Sequence, residues 1–151
     1  MIGMKKWYLV LIVLLSGCSA TPAYVNSTSP QAASVDGDVV GLFRFIGGQA
    51  HVQIAEIDGI RTSGPSPFLV SPGTHEIGVV LNGDGKGAIM QVKESFKPNQ
   101  KYKLTGDFSG ITTRVRVLDV TDKNPVLVSE HKEKQSIQPV NNTIVVPVIV
   151  R

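Results

Sequence analysis

The sequence predicts an all-β protein, a small antiparallel β-sandwich, on three observations. Short runs alternate apolar and polar residues with the two-residue period of a strand. Gly, Pro, Asn and Asp break those runs at short intervals, as turns require. No stretch between the breaks keeps the period of an amphipathic helix. Composition agrees: aromatic residues make up only 6% of the chain, while Val and Ile, which fit a pleated sheet, recur throughout.

The first element is not a strand. Met1 to Lys6 is a short start that carries Lys5 and Lys6, and Trp7 to Leu15 (WYLVLIVLL) is an uncharged apolar run. A basic start, a short apolar run and small residues after it make an export signal. The run falls short of the ~20 apolar residues that a spanning helix needs. It ends in Leu15, Ser16, Gly17 and Cys18. This ending resembles the lipobox of bacterial lipoproteins.

The resemblance implies a signal-peptide helix over 1–17 and cleavage between Gly17 and Cys18. It also implies diacylglyceryl transfer to the Cys18 sulfur, for which the thiolate is the nucleophile. Each buried methylene contributes ~0.8 kcal/mol, so one chain holds a protein marginally and two hold it stably. Palmitate on Cys18 and a membrane anchor follow. Met4, directly before Lys5, is an alternative start that leaves this signal intact. Ser19 stands where an Asp tends to retain such lipoproteins in the inner membrane. The resemblance therefore implies the outer membrane, with the domain in the periplasm.

Lys5 and Lys6 account for two of the 15 basic residues, which leaves 13 against 12 acidic ones after cleavage. That near-balance gives no basic surface for nucleic acid. Cys18 is the single cysteine, so the folded body is expected to rely on packing without a disulfide.

Residues 18–36 are rich in Ser, Thr, Pro and Ala and nearly free of charge. They are expected to form a flexible tether behind the lipidated cysteine, with a short strand at Tyr24 to Asn26 as the alternative. Residues 37–151 are expected to be the sandwich. Its strands are read at Val39–Phe45, Ala50–Ile57, Pro67–Val70, His75–Leu81, Ala88–Phe96, Lys101–Phe108, Thr112–Val120, Val126–Ser129 and Thr143–Val150. Alternation puts Ala50, Val52 and Ile54 on one face, and likewise Ile77, Val79 and Leu81, then Ala88, Met90, Val92 and Phe96. Tyr102 and Leu104 point inward, and Val115 and Val117 oppose Arg114 and Arg116. Asp58-Gly59 and Asn82-Gly83-Asp84-Gly85 read as tight hairpin turns. A polar run follows Ser129 through Lys134.

Ile54 to Gly59 (IAEIDG), Val70 to His75 (VSPGTH), Glu76 to Leu81 and Pro98 to Leu104 (PNQKYKL) resemble the PEGA-like and transthyretin-like β-sandwiches of small bacterial lipoproteins. Val115 to Asp119 with Asn124-Pro125-Val126 resembles their closing hairpin. The resemblance spans the middle two-thirds of the chain and implies a non-enzymatic module. Residues 132–151 depart from it.

Candidate contact residues are few. His75 is either a partner contact or a half-buried ring that satisfies turn backbone. Arg114 and Arg116, with Lys101 and Lys103, form either a basic strip for a partner or a solvated sheet face. His51, His75 and His131 lack metal-ligand spacing, and Asp84 lacks the oxygens of a calcium loop, so no metal and no cofactor is expected. Neither a Gly-x-Ser-x-Gly elbow nor a phosphate loop occurs. Thr143–Val150 is apolar on both faces and interrupted by Pro147. It reads as a covered strand or as an edge open to strand addition.

The sequence thus points to a non-enzymatic, lipid-anchored interaction or envelope-associated module. Its expected partners are the membrane and an envelope protein, and no small-molecule substrate is indicated. The alternative is a lipoprotein subunit of an envelope-spanning secretion or pilus assembly.

Overall fold

The computed structural model describes residues 22–38, 49–83, 85–134 and 138–139. They form strands and turns, with no helix among them. Gly17 and Cys18 with the rest of the signal, the strand expected at 39–45, Asp84 and the apolar run at 143–150 lie outside the described residues.

The strands are β1 (Ala33–Gly37), β2 (Gln49–Ile57), β3 (Ile60–Arg61), β4 (Phe68–Val70) and β5 (Gly73–Gly83). They continue as β6 (Lys86–Phe96), β7 (Lys101–Ser109), β8 (Thr112–Asp119), β9 (Val126–Lys134) and β10 (Gln138–Pro139). Strand β2 serves two layers. Its first residues pair with β7, Ala50 opposite Gly106, and the rest pairs with β5, from His51 opposite Asn82 to Ile57 opposite Ile77. One layer runs β4-β1-β7-β8-β9 and the other β3-β2-β5-β6-β10. The described residues therefore form one folded sheet that does not close into a barrel among them.

All pairings are antiparallel except one: β1 runs parallel to β7, with Val35 opposite Tyr102. The sheet is mixed where the alternation pattern had predicted a purely antiparallel one, because alternation carries no information on strand direction.

The faces read from alternation hold. Val52, Ile54, Ile77, Val79, Leu81, Met90 and Val92 from one layer are buried against Val35, Val70, Leu104, Val115 and Val117 from the other. Removing a side chain of this size from water contributes roughly 1.5–3 kcal/mol. The layers approach closely at Gly106, where an added Cβ would stand 2.5 Å from Leu81 Cδ2. At one end Phe96 and Tyr102 meet edge to face with centroids 4.9 Å apart. The Tyr102 hydroxyl accepts from Lys97 N–H at 3.0 Å and donates to Gln100 Oε1 at 2.6 Å.

Asp58 and Gly59 have φ of 52° and 74° and join β2 to β3, Ile57 opposite Ile60. Two left-handed residues in a two-residue loop are the turn that matches strand twist. Gly85 has φ of 70°, and Gly83 pairs with Lys86 across the β5–β6 hairpin.

Two boundaries differ from the sequence reading. The expected tether over 18–36 contains a core strand, since Ala33 and Val35 in β1 are both 0% exposed. Ala33, Val35 and Gly37 face inward with Ser34 and Asp36 between them, a pattern too short and weakly apolar to stand out in a Ser-rich segment. Ahead of β1 the chain is also tied down. Tyr24 N–H donates to Arg61 O at 2.7 Å and Ser27 N–H donates to Leu69 O at 2.8 Å. Leu69 N–H donates to Asn26 Oδ1 at 2.9 Å, and the Tyr24 ring stands edge-on to Phe68 with centroids 6.2 Å apart. Residues 24–27 thereby bridge β3 at the edge of one layer and β4 at the edge of the other.

The second difference is β9, which continues through the polar run to Lys134. Its charges sit beside charges on β8, so a polar strand is stabilised without an apolar face.

Candidate functional site

His75 sits where β5 leaves the Pro72-Gly73 turn. Its Nδ1 lies 2.6 Å from Asp58 Oδ2 and its Nε2 lies 2.8 Å from Ser71 O. Asp58 Oδ1 accepts the Glu76 N–H at 3.0 Å, and Asp58 N–H donates to Glu76 O at 2.8 Å. Burial alone would raise the Asp58 pKa, but the Glu76 N–H and the His75 ring outweigh it and hold the carboxyl below its ordinary range. The imidazole staples the β2–β3 turn to the loop before β5. With both nitrogens used and 12% of its side chain exposed, it presents little to a partner.

Arg114 and Arg116 share the outer face of β8, as their i, i+2 spacing requires. Arg116 Nη2 lies 2.9 Å from Asp107 on β7, and its Nε lies 3.0 Å from Glu130 on β9. Arg114 approaches the same two carboxylates at 3.9 and 3.6 Å. Lys132 adds a 2.6 Å contact to Glu130. Lys132, Arg116 and the other groups on Glu130 keep its carboxyl ionised to lower pH than usual. Lys103 turns away to Asp38 at 3.0 Å. Lys103 and the two arginines are therefore not one positive strip; the arginines sit in a cross-strand ladder of alternating charge.

A third cluster joins the layers. Ser129 and His131 on β9 face Glu94 on β6. The Ser129 hydroxyl donates to the Glu94 carboxylate. His131 Nε2 stands 3.2 Å from Ser129 Oγ and 3.7 Å from Glu94 Oε2. The residue types are those of a hydrolytic triad, but the geometry is not. Serine and carboxylate meet the same ring nitrogen, so no carboxylate orients the imidazole through Nδ1 while Nε2 takes the serine proton. The cluster acts as a clasp between layers. Sequence reasoning missed it because Glu94 lies far from Ser129 along the chain and no motif links them.

A groove of about 520 Å³ opens between β1, β2 and the loop before β4, lined by Asp36, Asp38, Gln53, Ser66, Phe68 and Lys103. Its charged groups are paired within it, Lys103 to Asp38 and the Ser66 hydroxyl to Asp36. Among the described residues no group of three or more His, Cys, Asp or Glu is placed to hold a metal.

A further surface feature lies at the start of β9, which among the described residues pairs with β8 alone. Val126, Leu127 and Val128 are consecutive and are 62%, 54% and 43% exposed. The register slips beside them, with Val117 opposite Ser129 but Leu118 opposite Leu127, which leaves Val128 outside the ladder. An exposed strand edge flanked by apolar side chains is the feature that binds another strand.

Fold and surface together define a β-sandwich with an exposed apolar triplet at the start of β9. No known family model matches the chain, and no curated protein and no solved structure is significantly similar to it.

Proposed function

We propose that this protein is a bacterial lipoprotein anchored through Cys18, whose β-sandwich is a non-enzymatic docking module for a protein of the cell envelope. The anchor rests on the complete lipobox Leu15-Ser16-Gly17-Cys18 behind a basic start. The outer membrane and a periplasm-facing domain are part of the proposal, from Ser19. The observation that carries the docking role is the apolar triplet Val126, Leu127 and Val128, exposed at the start of a strand that among the described residues pairs with β8 alone. Main-chain hydrogen bonds there supply affinity, and side-chain pockets for the apolar triplet supply selectivity.

The same feature favours a second reading, a lipoprotein subunit of an envelope-spanning secretion or pilus assembly, in which strand addition to neighbours builds the complex. The PEGA-like and transthyretin-like resemblance is compatible with both.

Two measurements test the proposal. Radiolabelled palmitate is expected on the wild type and absent from Cys18→Ser; label retained on that variant overturns the anchor. A photo-crosslinking amino acid at Leu127 in intact cells is expected to give one discrete adduct that Val126→Asp with Val128→Asp abolishes. No adduct, or one that survives those changes, overturns docking at β9.

A further inference from the structure

We infer that the edge made by residues 24–27, β3 and β4 lies on the bilayer surface, its apolar side chains in contact with lipid. The inference rests on the proposed lipidation of Cys18 and adds which face of the body the membrane covers.

The first argument is length. Tyr24 is fixed to the body through its N–H on Arg61 O. Five residues lie between it and Cys18, and the six steps along the chain span at most about 22 Å even when fully extended. The β4-to-β9 layer is four strand spacings wide, about 19 Å. An acylated Cys18 therefore cannot hold the body farther from the lipid than about its own width. The edge that carries the attachment is the one that meets the bilayer.

The second argument is what that edge exposes. Val25 is 80% exposed, Ile60 40% and Leu69 39%. Their segments are held together, since Tyr24 is bonded to Arg61, next to Ile60, and Ser27 is bonded to Leu69. Hydrogen bonds of residues 24–27 to both strands fix them as one surface. Arg61, also exposed, presents a guanidinium to anionic headgroups. Apolar side chains beside a cation are what an interfacial surface uses, with the apolar groups inserted at the headgroup boundary. The β9 edge then lies on the far side of the body, turned to the aqueous space.

The test uses the absence of tryptophan from the mature chain, since Trp7 is the only one and falls in the signal. Val25→Trp and Val126→Trp place a reporter at each edge, both at exposed positions that do not enter the core. Each lipidated protein is purified from cells, its Cys18 acylation verified by mass, and reconstituted in phosphatidylethanolamine–phosphatidylglycerol vesicles brominated on the upper acyl chain. The expected result is a blue shift and loss of intensity for the Val25→Trp protein, with the Val126→Trp protein unchanged. Acylated protein whose two reporters behave alike overturns this orientation and leaves the lipoprotein reading standing. Unmodified Cys18 in the mass spectrum overturns both.

Discussion

The Asp58 carboxylate holds the His75 ring at 2.6 Å across two turns that lie 17 residues apart in sequence. The same carboxylate takes the Glu76 N–H, so one side chain fixes the start of β5 against the end of β2. Its folded-state pKa is lowered. A lowered carboxylate contributes stability that is complete above its unfolded value and is lost as pH falls through the folded value. Asp119, held down by the hydroxyl and N–H of Thr121, acts with the same sign. Asp58→Asn keeps a residue that tolerates positive φ and removes the charge. It is expected to cost about 1 kcal/mol at neutral pH, the low end for charge-assisted bonds because the carboxylate is nearly half exposed. The acid limb of a pH-denaturation series should flatten. A variant with wild-type acid sensitivity would show that the contact does not act through its charge.

Gly37 lies so close to β2 that a Cβ would stand 2.4 Å from Val52 O. Backbone cannot rotate away as a side chain can. Gly37→Ala is expected to lower stability by about 2–3 kcal/mol, from overpacking. Gly59→Ala meets nothing within 4 Å and carries only the strain of its positive φ, about 1 kcal/mol. Urea unfolding of the pair checks the order, and equal midpoints for the two variants count against a close β1–β2 approach.

Thr113 is buried on the inner face of β8 in line with Val115, and its hydroxyl has no hydrogen-bond partner among the described residues. Thr113→Val replaces a stranded polar group with a methyl of the same shape. Thermal or chemical denaturation should show a gain of about 1 kcal/mol. A loss would mean that the hydroxyl is satisfied by a bound water.

Much of the fold was readable from residue order. The inward set from Ala50 through Val117 follows from two-residue alternation, and the Asp58-Gly59 turn follows from the left-handed backbone that those residues tolerate. What escaped has physical causes. Strand β1 carries only Ala33, Val35 and Gly37 toward the core, and its parallel pairing with β7 is a long-range choice that no local pattern records. The extension of β9 past Ser129 sets Glu130 against Arg114 and Arg116 of β8. His75 was singled out by its turn, yet Asp58, the group that gives it a partner, became visible only when two loops met. The apolar surface at Val25, Ile60 and Leu69 is assembled from three separate segments, none of which is conspicuous alone.

The bridging of both layer edges by residues 24–27 also has a mechanical consequence. A pull arriving from the N-terminal side meets the Arg61 attachment at Tyr24 first and the Leu69 attachment at Ser27 next, one on each layer. Both lie ahead of β1 in the chain, so its pairing with β7 is reached only after them.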